Sequence, residues 1–183
     1  SALAPNPVPG GAPLPLGSSH RVSTGTTNEL LGGTIGALGA YRISGHQHVM
    51  EVERLLGKLA GEAVPVTFTA QVVPVCRGIL SCLYGTLRDG IGLAQVREAY
   101  AEFHKHNPFV RLFDSKAVVG TAHVRGSNFC NLTVDVDERT RRLRVVSHID
   151  NLMKGQAGSA LQNMNLIFGL PENLGLDHPG AYP

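Results

Sequence analysis

The clearest hydrophobic pattern lies near the end of the chain. Apolar side chains there recur at i, i+3, i+4, i+7 and i+10, which predicts one stripe of a helix: Ala157, Ala160, Leu161, Met164 and Ile167. The other faces carry only amides among their larger polar side chains, and no charge occurs from Gly155 to Pro171. Because a solvated helix face normally carries Lys or Glu, this favours burial of the amides against a partner surface or a ligand. The alternative is an ordinary packed helix with small residues for tight contact.

Two glycines near the start of this helix suggest a specific use. Gly155 and Gly158 would leave backbone N–H groups open to close approach, as an anion site requires.

The remaining pattern predicts two more helices and several strands. Helices are expected over 49–60, which Gly61 would end, and over 94–106, with Val96, Ala99, Tyr100 and Phe103 facing inward. A short strand should end at 41–43. Further strands are expected over 64–75, 79–87, 109–113, 117–119, 128–136 and 142–149, with a hairpin turn at 137–140. This order predicts an α+β fold, a mixed, largely antiparallel sheet with helices on one face.

Composition narrows the class of protein. A chain of 183 residues with 43% hydrophobic and 16% charged residues is typical of a globular domain, and a net charge of +2 does not favour nucleic acid as a partner. No apolar run approaches the roughly 18 residues of a membrane span, and no signal peptide is expected. The three cysteines predict no disulfide framework and favour a reducing, cytoplasmic compartment. Cys76 and Cys82 are expected to be small core residues within strands.

The first 21 residues differ from the rest. They contain five prolines at alternating spacing and three glycines, which predicts an extended arm or linker over 1–21, followed by a single domain over 22–183. The arm is interpreted either as a tether or partner-binding segment, or as a disordered tail.

Several motifs carry a family resemblance. The segment IDNLMKGQAGSALQNMN (149–165) closely resembles the C-terminal signature of the N-acetyl-γ-glutamyl-phosphate reductases of arginine biosynthesis. The segments GHQHVMEVERLL (45–56), TFTAQVVPVCRGILSCLYGTL (67–87), NPFVRLF (107–113), GSNFCNL (126–132) and the terminal AYP resemble further motifs of that family in the same order.

The resemblance implies a C-terminal domain like that of glyceraldehyde-3-phosphate dehydrogenase, whose sheet builds the subunit interface, so a homo-oligomer is expected. It also implies NADP as cofactor, bound mainly by a nucleotide-binding domain that precedes a nucleophilic Cys. These 183 residues hold no G-x-G-x-x-G start of a βαβ unit and no Pro-Gly-Cys segment; the glycines of 32–39 have the wrong spacing. Alone, the chain is therefore expected to reduce nothing, and a companion chain with the missing domain is a candidate partner.

The resemblance assigns the first candidate catalytic residues. His46 and His48 lie at the entry of the helix over 49–60, where a neutral imidazole can serve as general base. In the family, a His of this segment helps to activate the Cys thiol and shuttles protons. Gln47 stands where the family commonly has Arg, which weakens the case for a retained anionic-substrate site. A metal site that also uses His104 and His106 is the less favoured alternative, because no Cys or carboxylate lies at metal spacing.

Three further residues are candidates on the same basis. Arg77 and Lys154 would contact the anionic acyl-phosphate substrate, and Asn163 could lie near the nicotinamide of NADP. For Arg77 the alternative is a structural salt bridge.

Two functions remain. The first is the substrate-binding and oligomerisation part of an NADPH-dependent reductase that converts N-acetyl-γ-glutamyl phosphate to N-acetylglutamate semialdehyde. There a thiolate attacks the acyl phosphate, phosphate leaves, and hydride transfer reduces the thioester. The second is a non-catalytic scaffold or binding module that keeps the fold and the oligomer surface.

Overall fold

A computed structural model describes residues 38–41, 43 and 45–180. The predicted arm over 1–21, most of the glycine run at 32–39 and the terminal AYP lie outside these residues. The chain divides into two compact units, one ending at Val75 and the other beginning at Cys76. The single domain expected over 22–183 stays a prediction.

The first unit contains one helix and a small sheet. Strands β1 (Gly39–Tyr41) and β2 (Ala70–Val72) pair antiparallel, and helix α1 spans His48–Ala60. As expected, Gly61 ends α1: it has φ +74°, and its N–H donates to the carbonyl of Gly57. The strand predicted over 64–75 is wrong except at β2. Its partner β1 has only three residues, and the prolines at 65 and 74 have no N–H for a ladder.

The second unit is built on a four-stranded mixed sheet. Its strands are β3 (Ile79–Thr86), β4 (Val110–Phe113), β5 (Cys130–Asp137) and β6 (Arg142–Ile149). They lie in the order β3-β6-β5-β4. The pairs β3–β6 and β6–β5 are antiparallel, and β5–β4 is parallel. The predicted α+β class with a largely antiparallel mixed sheet is confirmed.

The core lies on one face of this sheet. Helix α2 (Leu93–His104) packs there through Val96, with Leu93 and Tyr100 half-buried beside it. The sheet residues beneath are Leu132, Val134, Val136 and Val145. Phe103 was expected to face inward but is 81% exposed. A second buried cluster, Phe109, Val124, Phe129 and Leu176, joins the β4 entry, a 3-10 turn (Thr121–Val124) and the end of the described chain.

Two further expectations are corrected. Residues 117–119 form no strand, since they lie in an irregular segment with no pairing neighbour. Cys76 and Cys82 are exposed rather than core residues: Cys76 lies in a bend before β3, and Cys82 lies on an outward position of β3, an edge strand.

The last helix buries two of its amides and exposes part of its apolar stripe. A π-helical turn (Met153–Ala157) leads directly into α3 (Gly158–Ile167), whose buried residues are Gly158, Gln162 and Asn165. Met164 and Ile167 of the apolar stripe are 43% and 79% exposed. The amides are buried because the segment that follows α3 folds back over them. The side-chain amide of Asn165 donates to the carbonyls of Glu172 and Leu174 in this segment, at 3.2 and 2.9 Å.

Candidate functional site

The two candidate histidines lie in the first unit and differ in environment. His46 is buried, whereas His48, the first residue of α1, is exposed. The rings lie 4.9 Å apart, and the His46 ring also packs 4.8 Å from Phe68. The backbone N–H of His48 donates to His46 Nδ1 at 3.3 Å. This contact places the proton of a neutral His46 ring on Nε2.

His46 also borders a cavity. The cavity has a volume of about 570 Å³ and is lined by residues of one unit, among them Ile43, Val49, Met50 and Phe68. A buried imidazole at the wall of an open cavity is suited to exchange a proton with a bound group, so His46 fits the predicted base better than His48. Both catalytic roles stay predictions.

In the second unit, Asp150 is the centre of a hydrogen-bond cluster. Its carboxylate is fully buried. It accepts hydrogen bonds from the backbone N–H groups of Gly126 at 2.6 Å and of Leu152 and Met153 at 2.8 Å each. Burial raises the pKa of Asp150, but hydrogen bonds from Gly126, Met153, Arg77 and Leu152 outweigh it and leave the pKa below its usual value.

Arg77 completes this cluster. Its Nε lies 2.6 Å from Asp150 Oδ2, and its Nη2 donates to Oδ1 at 3.1 Å. The next residue is fixed as well, because the Gly78 N–H donates to Asn151 Oδ1 at 2.9 Å. Gly78 has φ +119°, and a Cβ there would lie 2.5 Å from the Thr121 side chain. The alternative role of Arg77, a structural salt bridge, is therefore present, and its contact with substrate stays a prediction.

Lys154 lies in a separate polar cluster. Its ammonium donates to Gln162 Oε1 at 2.7 Å, and the Asn128 side-chain amide donates to the same oxygen at 3.0 Å. Gln162 Nε2 donates to Glu172 at 2.5 Å. The Lys154 ammonium also lies 5.4 Å from the centre of the Phe109 ring. Burial lowers the pKa of Lys154, while Cys130 and Glu172 oppose this effect.

The anion site expected at the two glycines is not present as predicted. The N–H of Gly155 donates to the carbonyl of Asp150 at 2.9 Å, and that of Gly158 donates to the carbonyl of Met153. Both donors are used inside the π-helical turn. Gly158 instead permits close packing, because a Cβ there would lie 2.3 Å from Asn128 Oδ1.

Asn163 lies on the exposed side of α3, next to the buried Gln162.

The two candidate anion contacts lie in the same unit but in different clusters. Arg77 pairs with Asp150, whereas Lys154 binds Gln162. The sequence signalled Gln162 through its uncharged neighbours, and it signalled Asp150 and Asn128 through the motifs that contain them, but it assigned no role to Asp150, Asn128 or Glu172. These residues act through long-range contacts that local spacing does not encode.

Across the described ranges, no three His, Cys, Asp or Glu side chains converge to hold a metal ion. In the same part of the chain, no helix is both long and apolar enough to cross a membrane.

Comparison with known proteins identifies the family. The family model of the semialdehyde dehydrogenase dimerisation domain matches residues 22–151. This chain belongs to that family. It is also similar to N-acetyl-γ-glutamyl-phosphate reductases, with 51% identity over 145 residues to that of Geobacter sulfurreducens and 48% over 145 residues to that of Geobacter metallireducens. Each match covers 79% of this chain and 42% of the relative, so the chain spans less than half the length of these relatives.

Solved structures agree on the fold. Aspartate semialdehyde dehydrogenase II from Vibrio cholerae matches with a TM-score of 0.58 and 18% identity, over 79% of this chain and 48% of that one. The aspartate semialdehyde dehydrogenase from Francisella tularensis matches with a TM-score of 0.58 and 15% identity, over 73% and 40%. At these identities the likeness establishes the fold alone, and it agrees with the predicted dehydrogenase-type C-terminal domain.

Proposed function

We propose that the chain is the substrate-binding and oligomerisation part of an NADPH-dependent N-acetyl-γ-glutamyl-phosphate reductase. The observation that carries this proposal is the 46–51% identity to such reductases over 144–145 residues, or 79% of this chain. The catalytic Cys and the nucleotide-binding domain would come from outside these 183 residues.

The chain's own residues would bind the substrate and move a proton. His46, buried at the cavity wall, would be the general base that takes the proton of the nucleophilic thiol. Lys154 would donate hydrogen bonds to the anionic end of the acyl phosphate, where a positive group stabilises the charge of the departing phosphate. Arg77 would act mainly through its ion pair with Asp150. Its side chain is 31% exposed, and it would be a second contact for the anionic substrate.

One residue fits a role toward NADP. The cofactor supplies a hydride when it is bound by a nucleotide-binding domain. A nicotinamide carboxamide has one carbonyl acceptor and one amide donor, and the exposed Asn163 side chain offers the complementary pair. The chain's contribution to the cofactor would thus be orientation of the nicotinamide through Asn163.

Two exposed apolar surfaces of the second unit fit the expected partners. On the sheet face opposite α2, Leu80 and Tyr84 of β3 are 57% and 69% exposed, and this face would pair with a second copy of the chain. On α3 and the residue after it, Ile167 and Phe168 are 79% and 72% exposed, and this surface would receive the nucleotide-binding domain.

The test is the reverse reaction, run on the assembly that contains this chain in its source. N-acetylglutamate semialdehyde, phosphate and NADP⁺ are supplied, and NADPH formation is followed. His46→Ala should lower kcat by roughly 100-fold or more, while the exposed control His106→Ala should not. Lys154→Gln should raise the KM for phosphate, while Lys116→Gln should leave it unchanged. Equal effects in the variant and control pairs would contradict the proposal.

The second candidate, a non-catalytic scaffold, is favoured by the Gln47 departure and by the ion pair that already engages Arg77 with Asp150. It predicts oligomerisation without turnover in the same assay.

A further inference from the structure

We propose that Gln162 is a positioning residue for Lys154: oriented by Glu172, its amide holds the ammonium in place and separates it from the carboxylate, so that Lys154 stays available to an anionic ligand. The inference rests on the anion-binding role of Lys154 in the proposed function. It assigns to Gln162 and Glu172 roles that do not require them to touch the substrate.

The orientation of the Gln162 amide follows from the chemistry of its neighbours. Glu172 can only accept a hydrogen bond when ionised, and the Lys154 ammonium can only donate. The NH₂ group of Gln162 must therefore face Glu172, at 2.5 Å, and its oxygen must face Lys154, at 2.7 Å. Asn128 donates a second hydrogen bond to the same oxygen at 3.0 Å. A flipped amide would place donor against donor at two contacts, so one orientation is fixed.

Burial makes this arrangement rigid. Gln162 is only 9% exposed and Asn128 is fully buried. Gly158 lies against Asn128, where a Cβ would meet its Oδ1 at 2.3 Å. Asn128 is thus held against Gly158 and Gln162 of α3, and it fixes the amide from the loop that precedes β5. A residue placed by three independent segments defines the position of the group it contacts.

The amide also keeps the opposite charges apart. Glu172 is the carboxylate that acts electrostatically on Lys154, yet no ion pair joins the two among the contacts of the described residues. An ammonium has three N–H donors, and one is used on Gln162. The other two can be donated to phosphate or carboxylate oxygens. A direct Lys–Glu pair would instead neutralise the cation and compete with an anionic ligand.

Exchange of the two side chains tests the inference directly. In the double variant Gln162→Glu with Glu172→Gln, the composition and net charge are unchanged, but the carboxylate moves next to Lys154. With ¹³C-labelled lysine, the pKa of the Lys154 amine is measured by NMR, and inorganic phosphate is then titrated into the same samples. The control is Gln156→Glu, which adds a charge at an exposed position of the π-helical turn that carries Lys154.

The inference predicts a rise of about one unit in the pKa of Lys154 in the exchanged variant, and a fall of about tenfold or more in phosphate affinity. Gln156→Glu should change neither by a comparable amount. Backbone amide spectra identify any variant that fails to fold; the milder Gln162→Met then replaces it, and it should release Lys154 to the chemical shift of exposed lysines such as Lys116.

Two results separate the inference from the proposed function. If the Lys154 signal already matches that of Lys116 in the unmodified chain, or does not respond to the exchange at 162 and 172, Gln162 does not position Lys154 and the inference is wrong. If phosphate binds equally well to the Lys154→Gln variant, or does not bind to the unmodified chain, the anion role of Lys154 is wrong, while the pKa measurement still decides the role of Gln162.

Discussion

Asp150 joins three segments that are distant in sequence. Its carboxylate binds the N–H of Gly126, the Arg77 guanidinium and the start of the turn at Leu152 and Met153. A buried carboxylate is stable only when such donors satisfy it. Three of the segments that carry the family resemblance therefore meet at this one side chain, which gives them a structural reason to occur together.

Asp150→Asn should lower the free energy of unfolding by about 3 kcal/mol. The value is at the lower end of the range for a broken buried ion pair, because the Arg77 side chain is 31% exposed and water can solvate it. Urea denaturation measures the change. Asp177→Asn is the control on an exposed carboxylate and should cost less than about 0.5 kcal/mol. Equal losses in the two variants would contradict the role of Asp150.

His148 should make stability depend on pH. Burial lowers the pKa of His148; a hydrogen bond with the Asn131 backbone opposes this, and nearby His123 adds to it. At a pH between that lowered pKa and the ordinary value of about 6.5, the unfolded chain binds more protons than the folded one. The free energy of unfolding is therefore highest above about pH 6.5, and it decreases as the pH is lowered through this range. Urea denaturation at pH 7.5 and 5.5 should therefore show a smaller loss in His148→Gln than in the unmodified chain. The exposed control His106→Gln should keep the original pH dependence, and an unchanged slope in His148→Gln would refute the assignment.

At the scale of elements, the π-helical turn before α3 sets the geometry of the Lys154 cluster. The turn places Lys154 opposite Gln162, eight residues later, while Gly158 packs against Asn128. An α-helical start would rotate Lys154 by a fraction of a turn away from this contact.

Gly158→Ala should destabilise the fold by about 1–3 kcal/mol. The added Cβ would lie 2.3 Å from Asn128 Oδ1 and 2.9 Å from the Met153 carbonyl, and neither neighbour can move without breaking a packed contact. The matched control is Gly155→Ala, whose Cβ would lie 3.4 Å from the Asp150 carbonyl, with a much smaller expected effect. Thermal unfolding of both variants measures the difference, and a neutral Gly158→Ala would show that the packing is looser than described.

The elements differ in how far the local sequence determines their bounds and their buried faces. Helix α1 and strand β6 match their predictions within one residue, because periodicity and a glycine stop fix them locally. The burial of the amides of α3 was expected from the uncharged face of the helix, but a partner surface or a ligand was expected to cover them. The segment around Glu172 of the same chain folds back over Asn165 instead, and local spacing does not encode this contact. The outward Cys82 was missed for a similar reason: an apolar run does not reveal whether both faces of its strand are covered.

At the scale of the whole molecule, the sheet face opposite α2 should be an interface between copies. Leu80→Glu should shift the chain to a lower oligomeric state, because it places a charge in a surface that a partner would bury. Light scattering coupled to gel filtration measures the mass. Phe103→Glu is the control. Phe103 is an exposed apolar residue of α2, on the other side of the sheet, so this substitution should leave the mass unchanged. Loss of mass in the control alone, or a monomeric unmodified chain, would contradict this assignment.

The catalytic assignment depends on what accompanies the chain. The matched relatives are more than twice the length of the aligned region, and the chemistry requires a thiol and a nucleotide-binding domain. The most direct measurement is to purify the protein from its source, determine the intact masses present, and assay the same fractions for NADPH formation from N-acetylglutamate semialdehyde, phosphate and NADP⁺. We predict that activity coelutes with this chain and with a nucleotide-binding domain that carries a Pro-Gly-Cys segment. If the 183 residues elute alone as a stable oligomer without activity, the reductase assignment is wrong and the scaffold function holds.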